Sequence, residues 1–308
     1  MILSTSRRTD IPCYYSEWFM NRIRAGYALT RNPMNHAQIS RIPLTPDIID
    51  CIVFWTKDPL NIMPKLDKLE MLGYKYHFQF TLTPYDNTLE ANLRPKHEIE
   101  DTFIELSKRI GKDHVVWRYD PIILNSMIDT CYHKEQFVRM CSKLSPYTDT
   151  VTISFVDMYS KLKTKLIRPV KENEIAELSA FIGKTANDYG IRAVACCEKD
   201  DLTKHGIEQS SCIDLRRIEK IIGCSLNIKP DRNQRTGCGC FESIDIGMYN
   251  TCLNGCVYCY ANDSFSTTHR RNELHNPANE LLIGSISDGE KIIDKKVKSD
   301  KQAQMGLF

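Results

Sequence analysis

Short runs of apolar and β-branched residues alternate along the chain with stretches whose apolar residues recur at helical spacing. Lys96–Ile110 and Glu172–Tyr189 are the clearest amphipathic helices. Strands that alternate with helices predict βαβ units and a parallel sheet. We therefore expect an α/β fold, a parallel (β/α) barrel or partial barrel, over residues 1–286. The candidate strands are Met1–Thr5, Cys51–Thr56, Tyr76–Thr81, His114–Tyr119, Thr150–Phe155, Arg192–Cys197, Ser225–Ile228 and Ser243–Met248.

Polar side chains directly follow several of these strands. The carboxyl ends of parallel strands carry the active site in barrels of this kind. The candidate catalytic residues at these ends are therefore Arg7, Arg8, Asp10, Arg118 and Asp120. The alternative is that Asp10 and Asp120, which precede Ile11-Pro12 and Pro121, only cap helices or form turns.

Cys252, Cys256 and Cys259 are spaced C-x3-C-x2-C inside a cysteine-rich segment, residues 237–262. Three thiolates at this spacing can hold three irons of a [4Fe–4S] cube and leave the fourth iron open to a small molecule. Zinc is the alternative, since Cys238-x-Cys240 and Cys256-x2-Cys259 would make two zinc knuckles.

The chain has 13 cysteines among 308 residues. Its first residues lack the long apolar core of a signal peptide, which favours a cytoplasmic protein. In that compartment clustered thiols indicate metal or redox chemistry rather than disulfides. The formal charge of +2 does not by itself indicate a nucleic-acid partner, and no apolar run is long enough to span a membrane.

The three-cysteine motif, with the aromatic Tyr258 before its last cysteine, resembles that of the radical S-adenosylmethionine (SAM) superfamily. The resemblance implies that SAM binds the open iron and is cleaved by the reduced cluster to a 5′-deoxyadenosyl radical. It also implies a reductant such as flavodoxin or ferredoxin. Tyr258 would lie near the adenine, and Ser6, Arg7 and Asp10 near the methionyl end.

In radical SAM barrels the cluster loop follows the first strand, whereas here it follows Ser243–Met248, near the end of the chain. The resemblance therefore implies a circularly permuted barrel. If so, Met1–Thr5 lies beside the cluster strand.

Nearly the whole chain also resembles an uncharacterised bacterial family that pairs an amino-terminal Ser-Arg-Arg-Thr-Asp segment with a carboxyl-terminal cysteine cluster. This resemblance implies no particular reaction. The matching segments are Ser6–Asp10, Arg31–Pro33, Phe54–Lys57, Phe78–Pro84, Trp117–Pro121, Ser154–Asp157 and Gly237–Ala261.

Other cysteines offer a second site. Cys197, Cys212, Cys238 and Cys240 are the best combination for a second iron–sulfur cluster, although Cys197 and its neighbour Cys196 are equally consistent with packing. Cys13 could relay hydrogen atoms, as in spore photoproduct lyase, a radical SAM DNA-repair enzyme. The alternative places Cys13 in the first turn of a helix.

Residues 287–308 are mostly polar, and we expect a flexible tail. Its last residues resemble the peptide that binds the bacterial sliding clamp, through Gln304, Met305, Leu307 and Phe308. The alternative is a segment docked on the protein itself.

The sequence as a whole thus predicts a radical SAM enzyme acting on DNA or a nucleotide. The alternative function is a non-catalytic iron–sulfur or zinc protein that binds nucleic acid or senses redox state.

Overall fold

The computed structural model describes residues 1–159, 162, 164–235 and 237–302. The strands are β1 (Ile2–Thr5), β2 (Tyr27–Asn32), β3 (Asn35–Pro43), β4 (Cys51–Thr56), β5 (Tyr76–Thr81), β6 (Val115–Ile122), β7 (Thr150–Phe155), β8 (Arg192–Ala195), β9 (Glu208–Gln209), β10 (Ile244–Asp245) and β11 (Lys291–Asp294). The helices are α1 (Ile11–Tyr14), α2 (Ser16–Ala25), α3 (Leu66–Met71), α4 (Lys96–Ile110), α5 (Thr130–Leu144), α6 (Glu172–Asp188), α7 (Leu215–Ile222) and α8 (Phe265–Asn272).

Eight strands form one parallel sheet in the order β10-β1-β4-β5-β6-β7-β8-β9. The α/β class and the parallel sheet are confirmed. Within the described residues β10 and β9 are edges that do not pair with each other, so the sheet is open and the barrel is not closed. The last strand of the sheet in sequence, β10, pairs with β1, as predicted for the strand before the three-cysteine motif.

Alternate residues of the strands point to opposite faces of the sheet. Leu3, Ile52 and Phe54 belong to the main core, which also contains apolar residues of α4, α5 and α6. Ile2 and Val53 belong to a second, smaller cluster on the other face, together with residues of the segment 212–241, which includes α7. This segment therefore covers the face of the open sheet that lies opposite the main core, which we call the inner face.

Some predicted elements differ from the structure. Ser225–Ile228 is not a strand, because only Leu226 makes an isolated bridge, to Lys301. Ser243–Met248 shortens to Ile244–Asp245. The antiparallel hairpin of β2 and β3 was not expected from the sequence, and it forms a separate sheet with β11.

The described part of the expected flexible tail, through residue 302, contacts the rest of the protein. β11 pairs in parallel with β3. The Asp300 carboxylate lies 3.0 Å from the amino group of Met1, and the Ser299 hydroxyl donates to Asp50. The backbone groups of this polar segment thus form hydrogen bonds at the edge of a sheet. A prediction of flexibility from polar composition alone does not take such hydrogen bonds into account.

The clamp-binding residues Gln304, Met305, Leu307 and Phe308 lie outside the described residues. In the part of the chain that is described, no helix combines the length and the apolar character needed to cross a membrane.

Candidate metal and cofactor site

A cavity of about 460 Å³ opens at the carboxyl ends of the parallel strands. Its walls come from the carboxyl-terminal parts of β4, β5, β6 and β7 and from segments that follow β1, β4, β7, β8 and β10, as expected where parallel strands end at one edge. Both groups of cysteines line this cavity, together with most of the predicted catalytic and cofactor-binding residues. The predicted catalytic residues in its wall are Arg7, Arg8, Asp10, Arg118 and Asp120, and Ser6 and Tyr258 are the additional predicted cofactor-binding residues.

The thiols of Cys252, Cys256 and Cys259 are half-buried in the cavity wall. Their loop pairs with the segment after β5, since Val257 N–H donates to Leu89 O at 3.0 Å. Burial raises the pKa of the Cys252 thiol well above its ordinary value and that of Cys256 to about 12. Cys252 and Cys256 are therefore thiols at neutral pH unless a positive charge offsets the charge of the thiolates.

An ionic network centred on the fully buried Glu90 contacts this loop. The Glu90 carboxylate accepts from Lys57 Nζ at 2.7 Å and Thr83 Oγ1 at 2.8 Å, and it also accepts from Lys96 and from the Tyr258 hydroxyl. Burial by itself would raise the pKa of Glu90, but the two lysines outweigh burial and lower it to about 2. Glu90 was not predicted, because no sequence motif links it to a loop more than 150 residues away.

Asp10 connects three loops of the site. One carboxylate oxygen caps α1 at Cys13 N–H (3.1 Å), and the other accepts from Lys57 N–H (2.8 Å) and Asn254 Nδ2 (3.1 Å). Burial raises the pKa of Asp10 to about 6, although these hydrogen bonds oppose the shift. The helix-capping alternative is therefore correct for one oxygen. The side-chain oxygen of Asn254, Oδ1, is buried and has no hydrogen-bond partner among the described residues, and Asn254 also lines the cavity.

Two guanidinium groups lie close to the indole of Trp55. Arg7 Cζ and Arg118 Cζ each lie 5.4 Å from the ring centroid. Arg118 also pairs with Asp120, and its Nη1 lies 3.1 Å from Cys212 Sγ. The third arginine, Arg8, stacks at 5.2 Å on Tyr249 instead.

The loop after β1 is held to β10 by Asp245. This carboxylate accepts from Ser4 Oγ at 3.1 Å and Arg7 N–H at 2.9 Å, and also from the Ser6 hydroxyl. The predicted residue Ser6 therefore makes a structural contact at the cavity edge. Asp245 was missed because one carboxylate inside a short strand carries no distinctive sequence signal.

A second group of thiols lies in the same wall. The sulfurs of Cys196, Cys238 and Cys240 all lie within 4.8 Å of one another, and Cys212 makes thiol contacts with Cys196 and Cys240. Hydrogen bonding from the Cys196 thiol lowers the pKa of Cys238 and of Cys240, and the same contacts, with Cys212 the largest, raise that of Cys196.

The second thiol group differs from the predicted one in a single member. Cys196 occupies the place expected for Cys197, because β8 ends at Ala195 and Cys197 adopts a left-handed backbone, with φ of 62°. Adjacent side chains therefore diverge, and Cys196 is the one whose sulfur joins Cys238 and Cys240.

Cys13 lies in α1, and it is buried and does not line the cavity. The expected hydrogen-atom relay through Cys13 is thus not supported by direct access to the cavity. The alternative, the first turn of a helix, is what the structure shows, with Trp18 and Phe19 buried in the following helix α2.

Comparison with known proteins gives a family but no activity. No curated protein matches the chain. A solved structure described as a "putative alpha-L-fucosidase" from Bacteroides thetaiotaomicron is 10% identical, with 57% of this chain and 84% of that chain covered, but its TM-score of 0.28 is too low to support an argument. The family model for the domain of unknown function DUF1848 matches residues 2–261, which include both thiol groups. The chain therefore belongs to the DUF1848 family.

Proposed function

We propose that this protein is a radical SAM-type enzyme acting on DNA or a nucleotide. In this proposal Cys252, Cys256 and Cys259 hold a [4Fe–4S] cluster, and SAM binds at its open iron. The observation that carries the proposal is that all three thiols line one cavity at the carboxyl ends of parallel strands. Their loop also follows the strand beside β1, as a permuted radical SAM barrel requires.

The surrounding residues suit these groups. Asn254 Oδ1 is buried without a hydrogen-bond partner among the described residues, which costs free energy until a donor such as the amino group of SAM reaches it. Arg7 and Arg8 supply cations for a carboxylate at the same wall. When bound, the cluster would supply the electron that cleaves SAM and yields a 5′-deoxyadenosyl radical.

The chain's own residues have positioning roles in this scheme. Glu90 holds the Tyr258 hydroxyl and Lys57 against the back of the three-cysteine loop. Asp10 fixes the loop after β1 to the same loop through Asn254. These contacts would keep the cavity wall in one geometry before any ligand binds, which reduces the ordering cost of binding.

The decisive experiment is anaerobic reconstitution with iron and sulfide, followed by dithionite and SAM. We expect 5′-deoxyadenosine by mass spectrometry and a change in the electron paramagnetic resonance spectrum when SAM is added. Cys256→Ala should lose both signals and most of the iron of this site. Cys131→Ala, at an exposed position of α5, is the matched control and should keep them.

Two results would contradict the proposal. Stoichiometric zinc without iron or sulfide at the three-cysteine site would assign it to a zinc protein. A normal iron–sulfur cluster whose spectrum ignores SAM, with no 5′-deoxyadenosine formed, would assign the chain to the non-catalytic class.

A groove of about 720 Å³ beside the cavity supports an anionic polymer as substrate. It shares Arg7, Arg8 and Tyr260 with the cavity and is also lined by Lys295, Lys296 and Lys298. Cations that follow a groove bind phosphates, and an exposed tyrosine can stack on a base. The groove also contains carboxylates, of which Asp245 and Asp300 are already paired within the protein.

Binding of a fluorescent single-stranded oligonucleotide tests this assignment. Lys295→Ala with Lys296→Ala should weaken binding several-fold and reduce its salt dependence, because fewer counterions are then released. Lys184→Ala with Lys204→Ala, at two other exposed lysines, is the control with the same change in charge. Equal affinity of both double variants would remove the support for a nucleic-acid substrate.

Recruitment by the sliding clamp remains a prediction from Gln304, Met305, Leu307 and Phe308. A titration of the clamp against a fluorescent peptide of the carboxyl terminus tests it. Changing Leu307 and Phe308 to alanine should abolish binding, since burial of each apolar side chain contributes roughly 1.5–3 kcal/mol before ordering costs.

A further inference from the structure

We propose that Cys196, Cys212, Cys238 and Cys240 bind a single zinc ion in a tetrathiolate site in the wall of the cavity. This inference does not rest on the proposed radical SAM activity. It replaces the second iron–sulfur cluster expected from the sequence with a different kind of metal centre, and it replaces Cys197 with Cys196 among the ligands.

The compactness of the group indicates one ion rather than a cluster. The sulfurs of Cys196, Cys238 and Cys240 all lie within 4.8 Å of one another. Four sulfurs at the usual Zn–S distance of about 2.3 Å form a tetrahedron with edges of about 3.8 Å, so these three side chains need only small rotations to reach it. A [4Fe–4S] cube holds its thiolates at separate corners, pointing outward, and would force these sulfurs much farther apart.

Cys212 completes the set. Its thiol contacts those of Cys196 and Cys240, two members of the three-sulfur group. Arg118 Nη1 lies 3.1 Å from Cys212 Sγ and donates a hydrogen bond that would fix the direction of this sulfur.

The charges around the group fit a tetrathiolate. Zn²⁺ with four thiolates carries a net charge of −2, which is costly in a half-buried wall unless cations lie close. Arg118 contacts the group directly, and Arg7 lies over the ring of Trp55, where Cys240 and Cys212 act on its charge. Both arginines near Trp55 would therefore help to offset the charge of the metal site.

The site would connect parts of the fold that no strand pairing connects within the described residues. Cys196 directly follows β8, near one side of the open sheet, whereas Cys238 and Cys240 precede β10, the edge strand of the other side. Cys212 directly precedes Ile213, which belongs to the smaller apolar cluster together with Cys196 and Cys240. One ion would therefore hold the segment 212–241 across the inner face of the sheet and keep Arg118 aimed into the cavity.

The test uses the full chain with Cys252, Cys256 and Cys259 changed to alanine, so that any remaining metal belongs to the second site. After purification from zinc-containing medium, we expect one zinc per chain. After exchange with cobalt, we expect the absorption bands of tetrahedral, sulfur-ligated Co²⁺. Adding Cys240→Ser should remove the metal, whereas adding Cys197→Ser, the adjacent cysteine outside the group, should leave it bound.

Cys240 is buried, so folding of its variant is checked by circular dichroism, and Cys212→Ser at a half-exposed position provides a second variant. Cys212→Ser should weaken cobalt binding at least tenfold and remove part of the sulfur-to-cobalt absorption. Three results would overturn the proposal: iron with sulfide in the triple-alanine chain, retention of metal by Cys240→Ser, or loss of metal in Cys197→Ser with full retention in Cys212→Ser. None of them depends on whether the intact protein cleaves SAM.

Discussion

At the residue scale, single side chains join segments that are far apart in sequence. Glu90 accepts from four donors, two of them lysines, in a position with no exposure to solvent. A buried carboxylate is tolerated only when it is paired in this way. The ion pairs also make the two lysines dependent on Glu90, since neither is fully exposed.

We expect Glu90→Gln to lower the free energy of unfolding by roughly 3 kcal/mol, because Lys57 and Lys96 then lack their counterion in a buried site. The variant should also hold less iron at the three-cysteine loop, since Tyr258 loses a charged partner. Chemical denaturation and iron analysis measure the two effects. Glu98→Gln, at an exposed position of α4, is the control; equal stability of the two variants would show that the network is not stabilising.

Gly247 is required by close packing after β10. A Cβ atom at this position would lie 2.1 Å from Ser6 Oγ and 2.4 Å from Ser6 Cβ, too close for either segment to remain in place. Ser6 is itself held by Asp245, so it cannot easily move away.

Gly247→Ala should therefore destabilise the protein by about 2 kcal/mol or more, as overpacking does elsewhere. Changing Ser6 to glycine in the same chain should recover part of the loss, because the two residues are in contact and their effects are coupled. Thermal unfolding of the two single variants and the double variant gives the coupling. Simple additivity would contradict the steric explanation.

At the element scale, β11 and the residues after it form part of the folded protein. Lys291–Asp294 pairs with β3, Asp300 pairs with the amino group of Met1, and Lys295 N–H donates to Arg41 O at 2.9 Å. The side chains of β11 are exposed, so its attachment depends on backbone hydrogen bonds and ion pairs more than on burial of apolar surface.

A chain that ends at residue 286 should unfold at a lower temperature than a chain that ends at residue 302. We expect the free energy of unfolding to fall by roughly 1–3 kcal/mol. Each lost hydrogen bond contributes about 1 kcal/mol net to stability, and the entropy cost of ordering the removed segment offsets part of that loss. Calorimetry of both chains measures the difference. Identical melting temperatures would mean that residues 287–302 behave as the free tail that composition predicts.

At the scale of the whole molecule, stability at acid pH depends on buried histidines and on a buried carboxylate, whose pKa values burial shifts in opposite directions. Burial lowers the pKa of His77 to about 3 and that of His133 to about 4. His133 is paired with the Tyr119 hydroxyl and with Ile123 O, whereas neither ring nitrogen of His77 has a partner in the described part of the chain. Burial acts in the opposite sense on Asp10, whose pKa it raises to about 6.

His77 is neutral in the folded state and has an ordinary pKa of about 6.5 when unfolded. The unfolded chain therefore binds the extra proton between about pH 6.5 and 3, and the contribution of His77 to stability is lost as the pH falls through that range. The His77→Leu variant has no histidine to protonate at this position. The difference in free energy of unfolding between this variant and the unsubstituted protein should therefore shift in favour of the variant as the pH decreases from 6.5 to 4.5. Comparing the two denaturation curves at each pH cancels the opposing effect of Asp10. His97→Leu, at an exposed histidine, should show no such trend.

The sequence by itself determined the elements that depend on local patterns. Lys96–Ile110 is a helix with the predicted bounds, and Cys51–Thr56, Tyr76–Thr81 and Thr150–Phe155 are strands with the predicted bounds. Periodicity and side-chain type are local properties, and parallel pairing follows from the alternation of strands and helices. The position of the polar strand ends around one cavity follows from that pairing.

Only the tertiary structure decided which groups meet. Cys196 and Cys197 are equivalent in sequence, and the left-handed backbone of Cys197 selects Cys196 for the thiol group. Asp10 serves as both a helix cap and a link between loops, which depends on where Lys57 and Asn254 lie. Glu90 and Asp245 acquire partners more than 150 residues away in the chain. Charges and thiols interact when they are close in space. That closeness depends on the path of the backbone and on the burial around each group, and neither can be inferred from the spacing of residues along the sequence.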